Sequence, residues 1–166
     1  MPLSPILPGL FDPMQSNPEL HIPDGFLNFA IAIIFWLLTI GLIALAARRT
    51  EDKLGERQIP LMGIMAAFIF AGQMINFPVA GGTSGHLLGG ALAAVVLGPW
   101  AAMLVMASVV ALQALLFQDG GLLVMGANIF NMGLLTALVG YGLYRGVAGR
   151  SKSVRLTVAG LAAWLS

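Results

Sequence analysis

The positive charges of this 166-residue chain are confined to two short stretches that are separated by long apolar segments. All eight Lys and Arg residues lie within residues 48–57 and 145–155. The chain is 58% hydrophobic and 9% charged, whereas charged residues make up about a quarter of a soluble domain. Such a chain is expected to fold inside a lipid bilayer. Because loops rich in Lys and Arg face the cytoplasm, the pattern places both basic stretches inside and the N-terminus outside the cell membrane.

Uncharged runs divide the chain into about six helices, so we predict an all-α, polytopic transmembrane bundle. The first run, residues 26–47, can form a helix of about 33 Å, which crosses the hydrocarbon core. The third run is short, but counting it as its own crossing keeps both basic stretches on one side. The later helices are expected over residues 60–79, 87–97 (starting as early as Thr83), 100–117, 122–144 and from Val154 to the chain end, where the last helix is truncated.

Residues 1–20 are predicted to form an irregular outer tail, since five prolines interrupt them and they lack the basic start of a secretory signal. Residues 21–166 are then the transmembrane domain. The chain has no cysteine, which excludes disulfides and thiolate metal sites. Neither a phosphate-binding loop nor a basic, aromatic-interleaved patch is present, so nucleotide hydrolysis by such a loop and nucleic acid partners are not expected.

Polar residues within the apolar runs cluster toward the predicted outer side. Buried amides in a membrane either hydrogen-bond neighbouring helices or line a wet cavity, and the sequence leaves both interpretations open. Asn128 and Asn131 are three residues apart, which would put them on one helical face. The full set is Asn28, Gln73, Asn76, Gln113, Asn128 and Asn131.

Both histidines, His21 and His86, lie at the predicted outer interface. A neutral imidazole is the commonest metal ligand, and Asp24 and Asp119 are carboxylates that could orient an imidazole. A hydrogen-bonded interfacial histidine is the alternative interpretation. Two imidazoles cannot complete a metal site, so water, carboxylate or backbone nitrogen would have to supply the remaining donors; nitrogen-rich planar sites suit Ni²⁺ and Cu²⁺.

A rival interpretation is an intramembrane serine hydrolase of the rhomboid type. Residues 82–85 match its Gly-x-Ser-Gly pattern, with Ser84 as the nucleophile. Such a serine needs a histidine base on another helix, and the chain has no histidine after His86. This alternative is therefore weak.

Four blocks of the sequence, in order, resemble the CbiM/NikM family over about residues 20–150. They are His-Ile-Pro-Asp-Gly-Phe-Leu (21–27), Gly-Thr-Ser-Gly-His-Leu-Leu-Gly (82–89), Leu-Gly-Pro-Trp-Ala-Ala (97–102), and Leu-Phe-Gln-Asp-Gly-Gly-Leu followed by Gly-Ala-Asn-Ile-Phe-Asn-Met (116–132). Members of this family are the substrate-capture subunits of energy-coupling-factor (ECF) transporters for cobalt and nickel.

The resemblance implies a transporter subunit, not an enzyme, with a bundle of seven helices in a prokaryotic inner membrane. It implies Ni²⁺ or Co²⁺ as substrate, with no permanently bound cofactor. The implied partners are a transmembrane coupling subunit, two cytoplasmic ATPases and, in some systems, a small accessory membrane protein. Further helices would follow Ser166, so the chain is expected to be incomplete at its C-terminus.

The resemblance also implies the metal ligands. They are His21 through its backbone nitrogen and imidazole, His86 through its imidazole, and the amine of a Met placed directly before the first histidine. Here Leu20 holds that place after 19 other residues. A translation start at position 20, or trimming, would restore the amine. The residues expected to support these ligands are Asp24, Asn76, Thr83, Ser84, Asn128 and Asn131.

Overall fold

A computed structural model describes residues 21–51, 55, 58–75, 77–79 and 83–165, with the backbone alone at 77–79, 83, 84, 164 and 165. In this part of the chain six helices form, and one short hairpin joins the second to the third. The elements are α1 (Phe29–Glu51), α2 (Gln58–Met74), β1 (Phe77–Val79), β2 (Thr83–Gly85), α3 (Gly90–Leu97), α4 (Pro99–Phe117), α5 (Met125–Gly146) and α6 (Lys152–Leu165). The predicted helical bundle is confirmed. The expected tail, residues 1–20, lies outside the described residues.

Three of these helices, α1, α4 and α5, are long and apolar enough to cross a membrane, and α2 is a shorter apolar helix of 17 residues. The outer surface of α1 carries large apolar side chains that the bundle leaves exposed, among them Ile34, Leu37 and Ile40. A water-soluble protein rarely exposes such a continuous apolar surface. The chain is a membrane protein, as the composition predicted.

Both basic stretches lie at the same end of the bundle. Arg49 at the end of α1 and Tyr141 near the end of α5 line one small cavity, together with the turn between α3 and α4. Arg145 donates a hydrogen bond to the hydroxyl of Tyr141 at 3.3 Å. The shared end agrees with the prediction that both stretches face one side of the membrane. Which side that is stays a prediction.

The chain between Leu88 and Gly98 connects the two ends of the bundle. At one end Gln73 of α2 donates a hydrogen bond to the Leu88 carbonyl, and at the other Gly98 borders the cavity that contains Arg49. Helix α3 supplies only eight residues of this path, about 12 Å of rise. The third segment therefore runs between the two ends as a loop followed by a short helix.

Two predicted boundaries were wrong. Helix α2 was expected to reach Val79, but it ends at Met74, and Phe77–Val79 pairs with Thr83–Gly85 as an antiparallel hairpin. Pro78 has no N–H for a helix, and it disfavours the helical conformation of the residue before it. The hairpin also excludes a start of α3 near Thr83. Helix α3 begins at Gly90, after Gly89 adopts a left-handed conformation (φ 86°).

Helix α4 forms the centre of the bundle and packs against α1, α2, α3 and α5. Ten of its residues are buried. Helix α3 lies close to α5 because small residues face each other there. A side chain on Gly140 of α5 would collide with Ala91 of α3, and one on Gly90 would collide with Thr136. Close backbone approach between small residues is a main source of helix association in membranes.

We predict that Gly140→Ala destabilises the bundle and that Gly142→Ala, on the same helix, does not. A methyl group at position 140 meets the Ala91 side chain, whereas position 142 has no neighbouring atom within 4 Å. Overpacking costs about 1–3 kcal/mol, and removing a glycine from an open helical position contributes about 0.5–1 kcal/mol of stability. Thermal unfolding in detergent measures both changes. Equal midpoints for the two variants would contradict the close packing of α3 on α5.

Candidate metal centre

Asp24 anchors the segment that precedes α1 onto the start of α5. Its carboxylate accepts hydrogen bonds from the backbone N–H groups of Leu122 (3.1 Å), Leu123 (2.9 Å) and Val124 (3.2 Å). Val124 is the N-cap residue of α5, so the three donors belong to the residues that directly precede the first helical residue, Met125. A carboxylate at this position also interacts favourably with the helix dipole. The sequence predicted that the helix starts at Leu122, but residues 122–124 bind Asp24 and α5 begins at Met125.

Asn128 holds the same segment from inside the bundle. Its Oδ1 accepts a hydrogen bond from the Ile22 N–H (3.0 Å), and its Nδ2 donates to the Ile22 carbonyl (3.1 Å). The side chain amide thus pairs with both backbone groups of Ile22, as a neighbouring strand would. The Ile22 carbonyl also accepts from the Gly121 N–H at 3.0 Å. The predicted bracing role of Asn128 therefore has a contact partner, which is the His21 segment.

The turn at Gly120 and Gly121 permits this docking because neither residue has a side chain. A Cβ on Gly120 would lie 2.5 Å from the His21 Cβ, and one on Gly121 would collide with Asp24. Gly120 also has a φ of 91°, a conformation that residues with side chains rarely adopt. The turn allows the backbone of residues 21–24 to lie directly on residues 119–124.

His21 is buried, with 5% of its surface exposed. Its Nδ1 lies 3.0 Å from Oδ2 of Asp119, close enough for an ion pair if the ring is charged, but not aligned for an N–H···O hydrogen bond. Its Nε2 is buried and has no hydrogen-bond partner among the described residues. An unpaired buried ring nitrogen is unusual, because buried polar atoms are nearly always hydrogen-bonded. His21 therefore has an unused donor or acceptor inside the protein.

His86 lies on a different segment, between β2 and α3, and is half-buried. Its Nδ1 is 3.1 Å from the Leu87 carbonyl oxygen. A carbonyl can only accept, so this hydrogen bond requires the proton on Nδ1 and leaves the Nε2 lone pair for a ligand. His86 thus presents one nitrogen that is chemically suited to bind a metal.

Helix α1 fixes the start of α5, where these contacts converge. Trp36 Nε1 donates to the Leu123 carbonyl (2.9 Å), and Thr39 Oγ1 donates to the Gly126 carbonyl (2.7 Å). Thr39 is fully buried. These bonds hold the beginning of α5 against α1. The candidate site is therefore attached to the two longest helices.

The expectation that Asn128 and Asn131 share one helical face was wrong. Asn128 is buried, but Asn131 is exposed on the surface of the described bundle. Residues Ile129–Leu135 form a π-helix, whose wider turns change the angular spacing of side chains. Two residues three apart therefore point in different directions. Asn131 does not support the His21 segment from below.

The structure groups only some of the predicted residues. Asp24 belongs to the His21 segment and Asn128 binds that segment. Asp119 is the carboxylate next to the imidazole, whereas Asp24, expected to orient the ring, binds backbone amides of residues 122–124. Thr83 and Ser84 lie in β2 and Asn76 lies outside the described residues. Within the described residues no group of three or more His, Asp and Glu side chains forms a metal cage. A metal here would need backbone or external donors.

Gln73 and Gln113 form a polar contact that sequence reasoning did not connect. Gln113 Nε2 donates to Gln73 Oε1 at 2.8 Å. The interpretation of these amides as interhelical hydrogen bonds, one of two left open, is the one that the structure supports. Their position on separate apolar helices, each near the end that carries a histidine, was the available signal; a single sequence did not indicate that they pair.

We predict that Asp24→Ala releases the docked segment. The substitution leaves three backbone amides without their acceptor. Those of Leu122 and Leu123 are exposed, so water can replace the carboxylate, whereas leaving the part-buried Val124 amide unpaired costs about 1–3 kcal/mol. Hydrogen exchange should rise in peptides that cover residues 21–28 and 122–125. Asp24→Asn, which keeps one acceptor oxygen, is the matched control and should show a smaller rise. Unchanged exchange in Asp24→Ala would contradict the anchoring role.

Residues 21–166 match the family model of CbiM, described as the cobalt uptake substrate-specific transmembrane region. A protein from Haloquadratum walsbyi is 46% identical over 144 residues, which is 87% of this chain and 66% of that protein. A fused nickel transport protein, NikMN, from Rhodobacter capsulatus is 36% identical over 149 residues, 87% of this chain and 43% of its own length.

A crystal structure of a truncated transition metal transporter superposes with a TM-score of 0.74 at 35% identity, covering 87% of this chain and 72% of the other. The chain spans less than two thirds of the length of the two relatives above. The family match and the shared fold agree with the four sequence blocks, and the chain belongs to the CbiM family.

Proposed function

We propose that this membrane protein captures Ni²⁺ or Co²⁺ at the end of the bundle that carries His21 and His86, on the outer face of the cell membrane. The observation that carries the proposal is the buried His21 imidazole, neither of whose ring nitrogens has a hydrogen-bond partner among the described residues. Its segment is held in place by Asp24 and Asn128. Relatives named as nickel or cobalt transport proteins support the choice of metal.

The donor set favours these metals on chemical grounds. Imidazole nitrogen suits Ni²⁺, Cu²⁺ and Zn²⁺, while oxygen cages suit Mg²⁺ and Ca²⁺. The described residues offer two imidazoles and no cluster of carboxylates. The family resemblance adds the His21 backbone nitrogen and a terminal amine, which would give four nitrogens in one plane. Asp119 is placed to control the orientation of the His21 ring.

Delivery of the metal into the cell is proposed to depend on partners. The sequence contains no phosphate-binding loop, so ATP hydrolysis would come from two cytoplasmic ATPases, linked to this chain by a transmembrane coupling subunit. A small accessory membrane protein completes the proposed assembly. Because both basic stretches share one end of the bundle, we place that end at the cytoplasm, where the ATPases bind, and the histidines at the opposite face.

We expect His86→Ala to abolish binding of Ni²⁺ and Co²⁺ while the helical content and unfolding temperature stay near those of the wild-type protein. The imidazole is half-buried on a loop, so its removal creates little cavity. Isothermal titration calorimetry measures the affinity. Ser84→Ala tests the hydrolase alternative, which predicts that loss of this serine, and not of His86, abolishes function. Wild-type affinity in His86→Ala would remove this residue from the metal site.

Asp24→Ala should weaken metal binding by about 10–100-fold, the usual loss when a group that positions a ligand is removed. Lys152→Ala, a change in the distant exposed part of α6, is the control in the same titration.

A chain that begins Met-His21-Ile22 is expected to bind Ni²⁺ as a yellow, diamagnetic, square-planar complex and to release protons. A terminal amine titrates at about 7.7–8.0 and can anchor the metal while the adjacent amide loses its proton. The 1–166 chain, kept uncleaved, has no amine beside His21 and should bind more weakly or with a different absorption spectrum. Equal affinity and identical spectra would show that the amine is not a ligand.

A further inference from the structure

Gln73 and Gln113 are the two largest polar side chains that are fully buried in the described part of the bundle. Gln113 of α4 donates from Nε2 to Oε1 of Gln73 on α2 (2.8 Å). Gln73 in turn donates from Nε2 to the carbonyl oxygen of Leu88 (2.7 Å). The amides therefore form a directed chain of hydrogen bonds from α4, through α2, to the backbone two residues after His86.

The segment that receives this chain packs tightly against α2. A Cβ on Gly72 would lie 2.8 Å from the Leu87 side chain, and one on Gly89 would lie 2.6 Å from Ile69. His86 itself is tied to the same backbone through its Nδ1 contact with the Leu87 carbonyl. The position of the Leu88 peptide therefore determines where the His86 side chain lies and in which direction its Nε2 points.

Gln113 is also attached to the other histidine segment, through its backbone. Its carbonyl oxygen accepts from the N–H of Gln118, which caps α4 in a left-handed conformation (φ 54°), and from the N–H of Asp119 (3.2 Å). Bonds of this kind end a helix and fix the residues that follow it. Asp119 then lies 3.0 Å from His21 Nδ1. One residue therefore connects to both histidines, by its side chain to one and by its backbone to the other.

The Leu88 carbonyl sets the direction of the amide chain, because it can only accept a hydrogen bond. It requires the Nε2 of Gln73, so Oε1 of Gln73 faces α4 and Gln113 must donate to it. The remaining Oε1 of Gln113 is buried and has no hydrogen-bond partner among the described residues. Without the Gln113 donor, Oε1 of Gln73 would also be buried without a partner, and Gln73 would lose one of the two contacts that hold its amide against Leu88. An unpaired amide oxygen in apolar surroundings is costly.

We propose that Gln73 and Gln113 are positioning residues for His86, with Gln113 acting through Gln73, and that Gln113 is the point where the two histidine segments are held relative to each other. This inference rests on the proposed function for its metal readout. It does not require either glutamine to touch the metal.

The test uses Gln73→Met, Gln113→Met and the double variant, because methionine keeps the length of the side chain without its amide. Hydrogen exchange of the metal-free protein is followed in peptides that cover 86–89 and 119–124, and Ni²⁺ affinity is measured by calorimetry. We expect Gln73→Met to raise exchange at 86–89 and to lower Ni²⁺ affinity about tenfold, at the low end of losses for indirect positioning groups. Gln113→Met should also raise exchange at 86–89 and lower Ni²⁺ affinity, each by less than Gln73→Met does.

The double variant distinguishes a chain from two independent contacts. If Gln113 acts through Gln73, its loss adds nothing once Gln73 is gone, so the double variant should match Gln73→Met. Hydrogen exchange at residues 119–124 should not change in any variant. Gln113 contacts that segment through its backbone carbonyl, which the substitutions leave in place. The double variant also removes both facing amides, which costs less stability than leaving one of them buried without its partner. It therefore keeps the test valid should Gln73→Met fail to fold.

Thr39→Val is the matched control. It removes another fully buried hydrogen bond, to the Gly126 carbonyl at the start of α5, and should lower stability without altering exchange at 86–89. Additive losses in the double variant, or wild-type exchange and affinity in Gln73→Met, would overturn the inference.

If His86→Ala abolishes binding while Gln73→Met does not, only the positioning role fails. If the wild-type protein binds no Ni²⁺, the proposed function fails and the exchange measurements still decide the contact chain.

Discussion

The hydrogen bonds between the Asp24 carboxylate and the backbone amides that directly precede α5 are the contacts on which the candidate site depends. They join residues about 100 positions apart in the chain. Asn128 extends the attachment by pairing with both backbone groups of Ile22, one helical turn further into the bundle. Together these two side chains hold the backbone that follows His21. The imidazole is therefore buried although it has no large apolar surface of its own to pack. Removing Asn128 would leave the part-buried N–H and carbonyl of Ile22 without this partner, and removing Asp24 would do the same to the part-buried amide of Val124.

The rest of the bundle is built so that this attachment can lie inside it. Helices α3 and α5 meet through small residues, and this close approach lets an eight-residue helix and its loop connect the two ends of the molecule. The π-helix at Ile129–Leu135 follows Asn128 directly, and it turns Asn131 to the surface while Asn128 stays buried. Irregular helical turns of this kind are frequent at functional sites, because they place one side chain without moving the whole helix.

Periodicity, charge and composition were sufficient to predict the class of fold, the number of helices and the shared end of the basic stretches. These features follow from long-range averages, namely apolar run length and the distribution of Lys and Arg. The end of α2 was predicted five residues late because the apolar pattern continues through Phe77–Val79, and only the geometry of Pro78 with its strand partner stops the helix. Asp24 and Asn128 were identified as supporting residues, but their contacts were not. A carboxylate three residues from a histidine is a plausible partner for the imidazole in the sequence, yet in the structure the Asp24 carboxylate binds other groups. Asp119 and the Gln73–Gln113 pair depend on which helices are neighbours, and a single sequence does not contain that information.

A site made of two histidines on separate segments has an entropic problem that the observed contacts address. Each segment is a loop, and ordering a loop costs roughly 1–2 kcal/mol per residue in backbone freedom. If that cost were met only when a metal arrived, it would be subtracted from the binding energy. Here the His21 segment is held by Asp24 and Asn128, and the His86 segment by Gln73, through hydrogen bonds that involve no metal. The polar groups buried at this end of the bundle are therefore consistent with a site whose geometry is fixed in advance, in which affinity comes from the nitrogens and the amides and carboxylates serve to hold them still.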